Sequence, residues 1–281
     1  MLKLRTYTAP QAEVTTTILA RIIASFPQMM LRKETFPPFI HSASYDYSLG
    51  TQALPEVLTD CMGLAQMFAT RTKESNNMFW RAIRMEQEKL YAQHESYSDH
   101  EMQAAVQAIL IYIMMRLVDG RPEHDDVEIP LFHTLNTISM QLSRRIGGDE
   151  FKGALRYDED YWQQWLFQET RRRVVAVARI MNIGFYLDRA ISCKSMDGFS
   201  LIPLPSKKTL WEATNEQQWR VEYNQLLQDR VIHGLTTEGK LVGLRQANGR
   251  VQVHDVEWQK WYASQDGFGI LVMLASQLLG S

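Results

Sequence analysis

What most limits the fold of this chain is its helical periodicity. It runs almost from end to end and is broken by prolines and glycines rather than by strand-like alternation. Apolar residues three or four apart gather on one face of a helix. Val14, Ile18, Ile22 and Phe26 have that spacing and predict a helix over Glu13 to Ser25. Phe36-Pro37-Pro38-Phe39 reads as a rigid extended connection, because two prolines cannot sit inside a helix. Pro55 suits a first helical turn, and Leu58, Cys61, Met62, Ala65 and Phe68 follow on one face. Ser75 to Gln93 predicts a charged helix carrying Phe79, Trp80, Ile83 and Leu90. Ser98 stands three residues before Glu101, the capping-box spacing, and opens a helix through Val118 that Asp119-Gly120-Arg121-Pro122 stops.

The same reading continues through the second half. A helix is predicted from about Ile129 to Ile146, with Pro130 in its first turn and Gly147-Gly148 after it. Asp158 to Cys193 is the longest periodic segment, with three acids near its start where they suit the helix dipole. Pro203 and Pro205 interrupt it, and Thr209 with Glu212 forms a second capping box leading a helix to about Ile232. Leu241 to Arg245 and Arg250 to Val253 flank Asn248-Gly249, which reads either as a hairpin turn or as a loop between helices. His254 to Tyr262 and Phe268 to Leu279 are the last helices, and Ile270 to Leu279 is either a core layer or a dimer contact. The absence of strand-helix alternation argues against a parallel α/β sheet. The expected fold is all-α: one compact domain over residues 1–281, with about 8–10 helices and a small hairpin near 240–253.

Composition excludes several classes. Of 281 residues, 45% are hydrophobic and 22% charged, which rules out a mainly disordered chain. Thirty basic and 32 acidic residues nearly cancel, against a whole-molecule electrostatic grip on nucleic acid. The two cysteines, Cys61 and Cys193, cannot build a disulfide framework or a four-cysteine zinc site. Met1 to Ala12 has no apolar run of secretory length. Ala104 to Val118 falls short of the roughly 20 residues that span a bilayer, so it reads as a core helix. The expected location is nucleus or cytoplasm.

Catalytic motifs are absent: no glycine-rich phosphate loop, nucleophile elbow or paired-histidine zinc motif. Seven histidines, His41 and His254 among them, are scattered without ligand spacing, so neither metal nor cofactor is expected. Cys61, on an apolar helical face, reads as inert packing. Arg171-Arg172-Arg173 is the densest basic run. It reads as a phosphate or carboxylate contact, or more simply as a helix surface paired with Glu169 and with Asp158 to Asp160. Trp162 and Trp165, like Trp258 and Trp261, share a helix face and could line an aromatic pocket, although core packing is the simpler reading.

Several strings stand in a familiar order. They are Phe36-Pro37-Pro38-Phe39-Ile40-His41, Leu54-Pro55-Glu56 running to Met67-Phe68, and Trp162 through Trp165 to Glu169-Thr170-Arg171-Arg172-Arg173. Tyr186-Leu187-Asp188-Arg189 follows, then Pro203-Leu204-Pro205, Leu210-Trp211-Glu212-Ala213 with Trp219, and Asp266-Gly267-Phe268-Gly269. In this order, over about residues 20–280, the chain resembles the regulatory, or middle homology, region of fungal binuclear zinc-cluster transcription factors. The resemblance implies an all-helical regulatory domain that senses small molecules or restrains activation. Family members carry a six-cysteine cluster ahead of this region. Here about 20 residues without cysteine precede it, so direct, sequence-specific DNA binding is not expected of this chain.

Three functions follow. The first is transcription regulation through a small apolar or aromatic ligand, a protein partner or a second copy, with no membrane. The second is an enzyme or carrier of fungal secondary metabolism, in which a helical pocket positions a substrate for cyclisation, isomerisation or dehydration with one acid or base. The third is a plain interaction module. Candidate pocket residues are His41, Tyr45, Asp46, Trp162, Trp165, Arg172, Asp188, Arg189 and Trp211. The simpler readings are a buried ion pair for Asp188 and Arg189, and loop packing for His41 and Tyr45.

Overall fold

The computed structural model describes residues 2–45, 54–120, 126–146, 162–187, 201–226, 231–247 and 250–280. Its helices are α1 (Pro10–Met29), α2 (Glu56–Thr70), α3 (Asn76–Gln93), α4 (Asp99–Asp119), α5 (Glu128–Arg145), α6 (Trp162–Gly184), α7 (Lys208–Trp211), α8 (Glu216–Leu226), α9 (Trp258–Ala263) and α10 (Phe268–Leu279). Its strands are β1 (Leu2–Leu4), β2 (Phe185–Leu187), β3 (Leu201–Pro203), β4 (Val231–Thr236), β5 (Leu241–Ala247) and β6 (Arg250–Asp255). The architecture is mainly α, as its periodicity predicts, with small antiparallel sheets. Contacts concentrate in two compact units. One comprises Met1–Lys3, Ala20–Gly148 and Tyr186–Arg189; the other comprises Leu4–Leu19, Asp149–Phe185 and Ala190–Ser281.

The first unit is built around α4, against which α2 and α5 pack. Every residue from Met102 to Arg116 is buried. The expected capping box forms: the Ser98 N–H donates to Glu101 Oε2 at 2.8 Å and the Glu101 N–H to Ser98 Oγ at 3.3 Å. At the other end Gly120 takes φ 60° and its N–H closes on the Arg116 carbonyl, so a left-handed residue ends the helix. At 21 residues and mean hydropathy 1.4, α4 is long and apolar enough to cross a bilayer, which corrects the shorter stretch read from sequence; 83% of its apolar window is buried inside the protein. Two polar side chains of α4 find partners in this core. Arg116 meets Glu128 at 3.0 Å, and Gln107 Nε2 donates to the carbonyl of Phe39 at 2.7 Å; Pro38 and Phe39 form a turn that the Ile40 N–H closes on the Pro37 carbonyl, rather than the extended connection expected.

In the second unit α6 packs against α10, β3 and α8. The sheet runs β3-β4-β5-β6, with Pro203 opposite Gly234, Leu235 opposite Leu241 and Ala247 opposite Arg250. The open choice at residues 240–253 is thus a strand pair, extended by two further strands; Asn248 and Gly249 themselves lie outside the described residues. At the β4–β5 turn, Gly239 takes φ +75° and lies against the Ser276 carbonyl near the end of α10. Helix α10 is a core layer, burying Phe268, Leu271, Val272, Ala275 and Leu278.

Four expectations are corrected. In α1 the buried stripe is Ala12, Leu19, Ile23 and Phe26, whereas Val14 and Ile18 are 60% and 43% exposed. The true stripe passes through Thr15 and Thr16, whose hydroxyls donate to the Gln11 and Ala12 carbonyls and so can be buried without cost. The long helix ends at Gly184 rather than Cys193, because the N-terminal segment caps it. Arg5 Nε donates to the carbonyls of Asn182 (2.9 Å) and Phe185 (3.2 Å), and Tyr7 Oη to that of Ile183 (2.9 Å). The helix expected from Thr209 to Ile232 is a single turn, a separate α8, and strand β4. Lys207 caps that turn without a side-chain bond, and the working cap is Asn215, whose Oδ1 accepts from the Gln218 N–H at 3.0 Å. His254 belongs to β6, and the following helix begins at Trp258.

Candidate functional site

Helix α6 carries most of the sequence-predicted site. Glu169 and Arg173 are one helical turn apart, and both side chains are fully buried. Glu169 Oε1 accepts from Arg173 Nε at 2.9 Å and from the Ser206 N–H at 2.8 Å, and its Oε2 accepts from Arg172. Arg173 reaches on to Asp266 Oδ2 at 2.7 Å, and Asp266 Oδ1 accepts from the Phe268 N–H at 2.9 Å, where α10 begins. The Arg173 guanidinium lies over the Trp211 ring at 4.0 Å. Arg172 also donates to Ser206 Oγ at 3.0 Å. The arginine run is therefore not the helix surface expected. Arg171 and Arg173 are buried, and Arg172 is half-buried. Two cations and two carboxylates hold one another and tie the chain at Ser206 and at Phe268 to α6. Both Glu169 oxygens are engaged, so Glu169 is a strut and not a free base.

Along the same helix lies an aromatic strip. Trp165 and Arg172, seven residues apart, share a face of α6, about 10 Å along its axis. Trp165 meets Trp219 with ring centroids 5.9 Å apart, and Trp219 stacks on Tyr223 at 4.4 Å. Two donors on this strip find no acceptor among the described residues: Trp219 Nε1, in a side chain 1% exposed, and Arg172 Nε. A buried donor without an acceptor costs about 1–3 kcal/mol, which an acceptor-bearing ligand would recover.

The predicted residues therefore divide. Trp165, Arg172 and Trp211 join this cluster, and Trp162 is buried one turn before Trp165. His41 belongs to the first unit, where its Nδ1 accepts from the Ala43 N–H at 3.1 Å and closes a turn. The Tyr45 side chain, Asp46, Asp188 and Arg189 lie outside the described residues, as does Cys193. Sequence reasoning missed Glu169, Arg173, Ser206, Asp266, Trp219 and Tyr223 as site residues. The four-residue spacing of Glu169 and Arg173 was a usable signal; the long-range partners were not.

A second polar group, in the first unit, also went unread. Cys61 and Tyr112 are fully buried, and burial pushes both up, keeping them protonated. Cys61 is inert packing, as expected. Beside them burial, more than the nearby Asp60 and Glu56, raises Glu86 above the usual carboxylate range, and Lys89 opposes it. Lys89 donates to Asp60 at 2.9 Å and Glu56 at 3.1 Å, and is raised chiefly by the Asp60 bond. Among the described residues no three His, Cys, Asp or Glu side chains gather as a metal site. Comparison with known proteins finds no matching family model, and no significant match among curated proteins or solved structures.

Proposed function

We propose that this chain is a regulatory-type helical domain, like those of fungal zinc-cluster transcription factors. It acts through a small aromatic or apolar ligand or a protein partner, in nucleus or cytoplasm, and not through its own contact with DNA. The observation that supports this reading is the convergence of the strings that carry the resemblance. Glu169 to Arg173, the chain after Pro203-Leu204-Pro205, Trp211 and Asp266 to Phe268 meet in one buried network. Residues scattered over a hundred positions of sequence thus act as one structural unit. Beside it the unmatched Trp219 and Arg172 donors suit a planar ligand bearing a carbonyl or carboxylate.

The test is to incubate purified protein with a metabolite extract from a host lacking it, then analyse it by native mass spectrometry and compare the extract before and after. One retained small molecule per chain, lost in Arg172→Met and returned unchanged, is the expected result. Conversion of that molecule would instead establish the enzyme of secondary metabolism. No retained molecule, together with unchanged transcript levels when the gene is deleted, overturns the regulatory reading.

A further inference from the structure

The outer face of α3 carries a second feature, independent of the ligand reading. Met78, Arg81, Met85, Glu88 and Ala92 recur at steps of three and four and are all exposed. Met78 is 62% and Met85 65% exposed, an unusual presentation for two large apolar side chains one heptad apart. The charges flanking the row are engaged within the fold. Arg84 pairs with Asp126, and Lys89 is held by Glu56 and Asp60. Arg81 and Glu88 have no ion-pair partner among the described residues. The row therefore offers a soft apolar seam with a cation on the N-terminal side of Met85 and an anion on the C-terminal side, neither ion-paired among the described residues.

We propose that this face of α3 is the contact between two copies of the chain, arranged antiparallel about Met85. Arg81 lies about 6 Å to the N-terminal side of Met85 and Glu88 about 4.5 Å to the C-terminal side. A two-fold axis through Met85 brings Arg81 of each copy beside Glu88 of the other, so one self-complementary row supplies two ion pairs around a methionine centre. A parallel arrangement sets Arg81 against Arg81 and Glu88 against Glu88. The charge order thus selects both the partner, a second copy, and its direction.

Sedimentation velocity of the full chain over about 1 to 100 µM tests this. A concentration-dependent dimer is expected, weakened about tenfold or more by Arg81→Glu and restored by Arg81→Glu combined with Glu88→Arg. Met85→Cys in a Cys193→Ser background is expected to cross-link on oxidation, since the two-fold places residue 85 against its own copy. Arg81, Met85 and Glu88 are all exposed, so melts of the α3 variants should match that of the parent, or for Met85→Cys that of the Cys193→Ser background. A monomer throughout the range, a dimer indifferent to Arg81→Glu, or failure of the reversed pair to restore it overturns the proposal.

Discussion

Arg173 is the residue whose removal most directly tests the account of the second unit. Its side chain is fully buried. It binds Glu169 at 2.9 Å and Asp266 at 2.7 Å, and covers Trp211 at 4.0 Å. In Arg173→Ala, Asp266 keeps only the Phe268 N–H, and Glu169 keeps Arg172 and the Ser206 N–H. Breaking a buried pair by removing one partner costs about 3–5 kcal/mol. That is a large part of a typical 5–15 kcal/mol stability. Arg173→Met keeps the stem over Trp211 and loses only the charge, so it separates packing from pairing. Six of the seven tryptophans belong to the second unit, so the midpoint of urea unfolding followed by tryptophan fluorescence reports on this unit, while far-UV circular dichroism follows the whole chain. Arg173→Ala is expected to lower stability by about 4 kcal/mol. Arg172→Ala, whose side chain is 12% exposed, should cost about 1–2 kcal/mol. Combining Arg173→Met with Glu169→Gln should cost less than the two separately, by about 1–3 kcal/mol, because each already breaks the same pair. A loss below about 1 kcal/mol in Arg173→Ala, or strict additivity in the double variant, would refute the strut.

Three further outcomes follow from single positions. Gly239→Ala combines a left-handed backbone with a collision on the Ser276 carbonyl, and should destabilise by at least about 2 kcal/mol in thermal melts. Gly63→Ala, in mid-α2 where an added Cβ meets nothing, should stabilise by about 0.5–1 kcal/mol, with no change in secondary structure. Glu86→Gln should change the pH dependence of stability. The folded state raises the Glu86 carboxyl, so its contribution is full at low pH and lost as pH rises through the folded value. The variant should therefore melt higher than the parent at pH 7 and at the same temperature at pH 4. A parent that gains no more stability than the variant between pH 7 and pH 4 contradicts this.

How much could be read beforehand depended on whether a signal was local. The capping box at Ser98 and Glu101 is complete within four residues, and it forms as spaced. Phe268 to Leu279 carries its own apolar run and is the helix expected. Thr209 and Glu212 have the same spacing as Ser98 and Glu101 and form no cap, because the chain there makes one turn before Asn215 starts a new helix. Spacing alone cannot tell these cases apart. What separates them is whether the following residues have a buried face to fill. In α1 two overlapping stripes compete, and threonines that satisfy themselves on their own helix win over Val14 and Ile18. Strand β4 hides in a stretch that continues a helical pattern. Its identity is set by pairing with β5, such as Ile232 opposite Leu244, which is information from elsewhere in the chain.

The same distinction governs the site. Arg171-Arg172-Arg173 looked like a solvated surface because the total charge is near zero, yet neutrality is satisfied inside the second unit, one carboxylate for each of Arg172 and Arg173. Glu169 is four residues from Arg173 and legible; Asp266 is 93 residues away and is not. A burial this complete needs both acids, since either alone leaves a guanidinium donor in a dry interior without an acceptor. The tryptophan strip follows from it. Once the network fixes α6 against the chain at Ser206 and Phe268, Trp165 and Arg172 are held on one rigid face. The unmatched donors of Trp219 and Arg172 are then fixed in place before any ligand arrives. Such preorganisation lowers the ordering cost of binding, whether the occupant is a signal molecule or a substrate.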